Sequence, residues 1–306
     1  MSPRQLRVGF IGLGEMGRRM AINVAKDKFP LQVYDVRSQM IEKLVKNGAV
    51  AGKNPADVGR NNDCILLSLP GTEEVESVIF GENGIVNGLS SGGIVVDLST
   101  MSYLATLKIQ ECLHAKGITF IDAPVSGAEA RAENGTLTIM VGGDSKKLEK
   151  VRSILNAIGK NIVYMGRSGN GQLTKLINQL LFNTSIAAMA EVMPMAVKLG
   201  LDPEDVSKVV TTGTGRSYAL EHFIPLILEN NFKFGYTLNK AYKDIMSTSE
   251  ICSKLKIPMP VVSAAMQTYQ LALIQGLGDE NKGSMIKVWE KLQKVEVRKR
   301  GQNKES

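Results

Sequence analysis

The chain has 306 residues, enough for two ordinary domains, and its 43% hydrophobic content argues against extended disorder. Its net charge of +7 does not point to nucleic acid, because six Lys or Arg against two Glu between Lys291 and Ser306 put +4 of it at the C-terminus, and no basic stripe interleaved with aromatics runs through the body. No uncharged apolar stretch of about 18 residues reads as a membrane span, no export signal is expected, and three cysteines (Cys64, Cys112, Cys252) without metal-ligand spacing fit reduced thiols in a cytoplasmic protein.

In chain order, "LRVGFI" is a short apolar run with strand character that ends in a glycine turn. The segment from Glu15 to Lys28 reads as a helix stopped by Pro30. "LQVYD" is the next strand and Ser38 to Asn47 the next helix. "CILLSLP" is continuously apolar, as a central strand covered on both faces must be. "GIVVDLS", "ITFIDAP" and "TLTIMVGG" follow, with a helical "LATLKIQECLHAKG" between the first two, and "NIVYMG" closes this half. Strands alternating with helices predict an α/β domain over residues 1–166, built on a doubly wound, mostly parallel sheet. After Gly169 long helical patterns take over: Gln172 to Leu199, Pro203 to Thr212, Leu238 to Leu255, and Val261 to Gln275. They predict an all-helical domain over 167–295, with a basic, frayed tail from 296 to 306.

"GFIGLGEMGRRM" contains Gly12-x-Gly14-x-x-Gly17 directly after a strand and opening a helix. In that context each glycine meets a distinct physical need, in turn a tight turn, backbone approach to a pyrophosphate, and close helix–strand packing. The loop Gly12-Leu13-Gly14-Glu15-Met16-Gly17 is therefore expected to bind a dinucleotide, with its phosphates at the helix N-terminus. Asp35 ends the second strand, where a carboxylate accepts from the ribose hydroxyls of NAD and repels the extra phosphate of NADP. Arg37 is the counterweight, since an arginine accommodates that phosphate; NAD is the expected cofactor, with NADP the alternative.

Lys175 is the only charged residue between Gln172 and Ala190. A position in the first helical turn and burial both disfavour the ammonium, which pushes a lysine toward the range where a general acid/base works. Asn178 and Gln179 follow at i+3 and i+4 and share its face. The bland alternative is a lysine that snorkels to solvent. "APVSGAEA" offers the Ser126 hydroxyl and backbone N–H groups made approachable by Gly127 to a substrate carboxylate, unless Ser126 is an ordinary loop serine. In "TTGTGRSYALE", Arg216 either clamps a carboxylate bidentately or lies on a surface or interface. His114 and His222, the only histidines, lack partners at metal spacing, so no metal is assigned.

The sequence resembles the β-hydroxyacid dehydrogenases, the family of 3-hydroxyisobutyrate dehydrogenase. The resemblance is carried by "GFIGLGEMG", "DLST", "DAPVSGAEARAENGTLTIMVGG", "GNGQLTKLINQ" and Lys243-Asp244, in family order. It implies a Rossmann-type domain followed by a helical one, and reversible NAD(P)-linked oxidation of a small 3-hydroxy acid. Carried over position by position, Lys175 is the general acid/base, and Ser126 and Asn178 stand with it as catalytic groups that bind substrate together with Gly127. Ala128, Gln179 and Arg216 complete the expected substrate set; Thr100, Lys243, Leu69 and Pro70 border the nicotinamide. The family usually has glycine where Ala128 stands and asparagine where Gln179 stands, so the exact substrate is open. A homodimer or homotetramer is expected, with neither nucleic acid nor membrane as partner. The competing readings are an imine or ketone reductase on the same scaffold, whose relatives often replace the lysine, and a silent NAD-binding interaction module.

Overall fold

A computed structural model describes residues 5–233 and 235–299 of the chain. The strand–helix alternation of the first half becomes one nine-stranded sheet. In chain order it comprises β1 (Val8–Ile11), α1 (Glu15–Lys26), β2 (Leu31–Tyr34), α2 (Ser38–Val45), β3 (Val50–Ala51), α3 (Pro55–Asn61), β4 (Cys64–Leu67), α4 (Thr72–Phe80), β5 (Ile94–Asp97) and α5 (Tyr103–His114). There follow β6 (Thr119–Asp122), β7 (Val125–Ser126), α6 (Ala128–Glu133), β8 (Leu137–Gly142), α7 (Ser145–Ile158) and β9 (Gly159–Gly166). The sheet order β3-β2-β1-β4-β5-β6 is parallel throughout. β8 then runs antiparallel to β6 and β7 and parallel to β9.

Period-two alternation divides the strand side chains between two cores, one on each face of the sheet. Val8, Phe10, Leu66 and Val96 point into a core closed by Met20 and Val24 of α1 and Val151 and Leu155 of α7. Ile11, Ile65, Leu67 and Val95 point the other way, against Val58 of α3, Val75 and Ile79 of α4, and Ile109 and Leu113 of α5. Each large side chain so buried contributes about 1.5–3 kcal/mol of transfer free energy. The continuous apolar character of "CILLSLP" thus has its cause: β4 is central and covered on both sides.

The chain divides into two compact units after Lys175. α8 (Asn170–Lys198) begins in the first and continues into the second, which adds α9 (Pro203–Thr212), α10 (Tyr218–Leu228), α11 (Leu238–Lys254), α12 (Pro260–Ile274) and α13 (Ile286–Gln293). Their core includes Ile186, Met189 and Met193 of α8, Phe223 and Ile227 of α10, Ile245 of α11 and Tyr269 of α12. α10 is not announced by the sequence, because Pro225 sits inside it and masks the helical pattern. Among the described residues α8 is the one helix long and apolar enough to cross a membrane by length and composition, and half of its most apolar window is buried within the chain.

The tail expected to fray from residue 296 is packed as far as Lys299. Val297 is fully buried, and its N–H donates to Glu290 Oε1. Arg298 pairs with the same carboxylate at 2.7 Å, both side chains nearly buried. Part of the basic surplus is therefore neutralised inside the fold; residues 300–306 lie outside the described residues.

Candidate active site

The parallel strands all end on one edge, so the segments following β1, β2, β4, β5 and β6 converge there. The chain order reverses between β1 and β4, which opens the crevice that ligands use in such sheets. Gly12 follows β1 at φ +93°, and a Cβ on it would lie 2.3 Å from the Ser68 carbonyl oxygen after β4. A Cβ on Gly17 would meet the Gly12 carbonyl oxygen at 2.0 Å, so this glycine lets α1 seat on the end of β1. At Gly14 a Cβ would meet only Arg37, at 3.9 Å. Gly14 is the N-cap of α1, and no side chain caps that helix. An uncapped helix start with open space in front of it suits the phosphates of a dinucleotide. Leu13 is buried, Met16 half-buried, and exposed Glu15 is turned to Arg19 at 2.8 Å.

Asp35, directly after β2, accepts from the Leu13 N–H at 2.7 Å and from the Arg37 N–H at 2.9 Å. The Arg37 guanidinium adds bonds of 3.0 and 3.3 Å. Burial alone would raise the pKa of this carboxyl, but the hydrogen bonds from Arg37 and Leu13 outweigh it and hold the group below its ordinary value. An ionised carboxylate thus stands beside the glycine loop with Arg37 folded onto it. Leu69, after β4, donates its N–H to Ser99 Oγ at 2.9 Å, and exposed Pro70 follows. Thr100, after β5, is half-buried.

α8 starts two residues before the expected Gln172, which moves Lys175 from the first turn to the second. The cause is Asp122 at the end of β6, whose two carboxylate oxygens accept the N–H groups of Gly169 and Gln172 at 2.8 and 3.0 Å. Gly171 permits the close approach, since a Cβ there would come within 2.4 Å of the Met140 carbonyl oxygen. Lys175 is buried there, 8% exposed. Lys175 and Gln179 share one buried face with Gln172 and Asn183, at i, i+3, i+7 and i+11 from Gln172. Asn178 instead lies exposed beside that face, not within a buried polar triad. Gln179 donates to Asp244 Oδ2 at 3.1 Å, and the Tyr236 hydroxyl donates to the same oxygen at 3.0 Å.

Asp97 and Asp122 face each other across the ends of β5 and β6. Burial pushes the Asp97 carboxyl up to about 7, and the neighbouring Asp122 adds to the rise. Asp97 Oδ1 accepts from the Ser99 N–H, while Oδ2 is buried without a hydrogen-bond partner. Asp122 is raised as well, since burial outweighs its backbone hydrogen bonds.

Ser126 ends β7, half-buried and paired with Thr138 of β8. Gly127 takes φ +139°, and Ala128 follows at φ +57°, a left-handed conformation costly for a residue with a Cβ. That conformation gives a physical reason for a glycine at this position, and Ala128 carries the strain instead. Lys243, on α11, is exposed. Arg216 lies in the α9–α10 connection, exposed and ion-paired with Glu221. Ser217 beside it caps α10, accepting from the Leu220 N–H. His222 stacks on Tyr218 and meets Phe223 edge-on; burial, then the charge of Lys282, lowers its pKa.

The first unit therefore gathers the glycine loop, Asp35, Arg37, Leu69, Pro70, Thr100 and the Lys175 turn along one sheet edge. Asn178, Gln179, Arg216 and Lys243 belong to the second unit. Sequence reasoning misses Ser99, Asp122 and Gln172, whose partners are far away in the chain, and Asp97, which faces Asp122 across two strands. It also misses Lys282, fully buried with Nζ donating to Asn183 Oδ1 at 2.9 Å and lying 3.8 Å from the Phe182 ring centroid.

Comparison with known proteins divides the chain a few residues earlier. Residues 7–166 match the NAD binding domain of 6-phosphogluconate dehydrogenase, and residues 169–289 match a family described as NAD-binding of NADP-dependent 3-hydroxyisobutyrate dehydrogenase. The chain is 36% identical to 2-(hydroxymethyl)glutarate dehydrogenase of Eubacterium barkeri over 96% of its own length and 98% of that protein's. It is 32% identical to 3-sulfolactaldehyde reductase of Escherichia coli (strain K12), over 91% and 94%. Among solved structures, 3-hydroxyisobutyrate dehydrogenase of Salmonella typhimurium superposes with a TM-score of 0.86 at 26% identity, covering 92% of this chain and 99% of that one.

Proposed function

This chain belongs to the β-hydroxyacid dehydrogenase family, and from that premise we propose which of its residues perform the reaction and on what substrate. It is a nicotinamide-dependent oxidoreductase acting on the CH–OH group of a small 3-hydroxy acid. The glycine loop, Asp35, Leu69, Pro70 and Thr100 would hold the dinucleotide, which when bound would supply the hydride chemistry. The chain itself must hold the substrate, exclude water and move one proton.

Lys175 is the group that moves it. As the neutral amine it accepts the hydroxyl proton during oxidation; as the ammonium it supplies that proton to the carbonyl oxygen during reduction. The single observation that carries this assignment is the burial of Lys175 one turn from a helix start that is hydrogen-bonded to Asp122 at the end of β6 and to Ser99 after β5. Ser126, with the N–H groups of Gly127 and Ala128, takes the substrate carboxylate. Asn178 and Gln179 orient the hydroxyl end. Arg216, exposed and held through Nε by Glu221, serves the second carboxylate of a dicarboxylic substrate. The family motif alone supports Lys243 as a cofactor ligand.

The ionised Asp35 beside the glycine loop supports NAD over NADP, because a 2′-phosphate would meet its charge. A homodimer or homotetramer is supported by Ile177, Leu181, Val192 and Met195, which are exposed apolar residues on one face of α8, and by exposed Leu199 directly after it. The three cysteines stand as free thiols, in keeping with a reducing compartment. The reading is tested by following NADH and NADPH formation with 2-(hydroxymethyl)glutarate, 3-hydroxyisobutyrate, glycerate and 2,3-dihydroxypropane-1-sulfonate. Turnover that prefers NAD and a dicarboxylate is the expected outcome; binding of NADH with no turnover of any hydroxy acid contradicts it.

A further inference from the structure

We propose that Gln172 is a positioning residue, whose carboxamide clamps the Ser99–Met101 segment to the start of α8 and so fixes the distance between Thr100 and Lys175. This rests on the reading of Lys175 as the proton-transfer group and adds to it a residue that touches neither substrate nor cofactor.

Gln172 is fully buried and uses both ends of its amide on one loop. Nε2 donates to the Ser99 carbonyl oxygen at 2.8 Å, and Oε1 accepts from the Met101 N–H at 3.2 Å. These two backbone groups bracket Thr100. The backbone N–H of Gln172 is itself held by Asp122 Oδ2 at 3.0 Å, so the clamp is anchored to the end of β6. On the far side Ser99 Oγ accepts from the Leu69 N–H at 2.9 Å, which ties in the loop after β4. Three segments around the nicotinamide end are thus one hydrogen-bonded body, and Lys175 follows Gln172 by less than one helical turn. Hydride and proton leave the same substrate together, so an error of about 1 Å between the groups that receive them costs on the order of 10²-fold in rate.

The polarity of the clamp is specific. Ser99 offers an acceptor and Met101 a donor, and of the acidic and amide side chains of this length only an amide or a protonated carboxyl answers both. An ionised glutamate would oppose the Ser99 carbonyl, beside Asp122 and Asp97 at the two strand ends and with Lys175 on its own helix.

The test compares wild type with Gln172→Leu and Gln172→Glu. Hydrogen–deuterium exchange of the peptide spanning Asp97 to Leu104 reads the clamp without needing turnover. The primary isotope effect with NADH deuterated at the transferred position, together with kcat and KM, reads the geometry. In Gln172→Leu the Met101 amide should exchange faster and NADH affinity fall by at most about threefold. kcat should drop by about 10- to 100-fold with KM little changed and a larger isotope effect. Gln172→Glu should recover relative to wild type as the pH is lowered and its carboxyl protonates, which keeps the proposal testable if the leucine variant does not fold. Unchanged Met101 protection, or an unchanged kcat and isotope effect despite faster exchange, would overturn the positioning role alone. Absence of hydroxy-acid turnover in wild type would instead overturn the reading of the reaction on which the role depends.

Discussion

In the sheet unit, polar side chains at the strand ends hydrogen-bond mostly to backbone: Asp35 to Leu13, Ser99 to Leu69, Asp122 to Gly169, and Gln172 to Ser99 and Met101. In the helical unit polar side chains, buried and half-exposed, bond to one another: Gln179 to Asp244, Asp244 to Tyr236, Asn183 to Lys282, and Thr268 to Glu191. The first arrangement fixes loops, whose backbone cannot otherwise be satisfied, along one edge of the sheet. The second selects how helices pack, and a pair of that kind can be exchanged as a whole for apolar side chains. The first unit should therefore lose function when a single backbone approach is blocked. The second should lose stability when half a pair is removed and regain it when the other half follows.

Gly17→Val gives the largest effect. Its Cβ would sit on the Gly12 carbonyl oxygen, so α1 must shift from the end of β1, and NADH affinity should fall by about 100-fold or more in a fluorescence titration. Next is Asn183→Leu, which takes from the buried Lys282 ammonium one of its partners, the acceptor at 2.9 Å. Urea unfolding should show a loss of about 2–4 kcal/mol, most of it recovered in the double variant with Lys282→Met. Failure of the second change to restore stability would break the comparison.

Asp97 gives a smaller, pH-dependent effect. Its folded-state pKa of about 7 lies above the unfolded value of about 3.9. The protonated form is therefore favoured in the native state, and stability present at acid pH is lost as pH rises from about 4 through 7. Asp97→Asn should flatten that part of the Tm-against-pH curve and be more stable than wild type at pH 8 by about 1–3 kcal/mol; a curve parallel to wild type would mean that Asp97 is charged in the fold. Arg216→Ala gives the smallest effect on stability, within about 0.5 kcal/mol, because its ion pair with Glu221 is exposed. Its KM should rise for dicarboxylic and not for monocarboxylic substrates.

What is legible in the sequence is local. The apolar runs of β1, β4 and β5 and the spacing Gly12-x-Gly14-x-x-Gly17 encode strand, turn and helix within a dozen residues, so the sheet and its glycine loop follow directly. The start of α8 lies about half a turn earlier than its own residues suggest, because its cap, Asp122, lies 47 residues before Gly169. The clamp formed by Gln172 spans 71 and 73 residues, and no spacing rule reaches that far. Asn178 looks equivalent to Gln179 by periodicity, but the neighbours that bury one face of α8 leave Asn178 outside. The tail reads as solvated from its charge alone, whereas Glu290 on α13 supplies the buried partner that Arg298 needs.

The proposal that Lys175 transfers the proton is tested most directly by Lys175→Ala, measured for NADH affinity and for turnover of the best substrate across pH. Retained NADH affinity with kcat reduced by about 10²-fold or more, and loss of the wild-type pH dependence, is the predicted result. Turnover and a pH profile equal to wild type would contradict it and require another base.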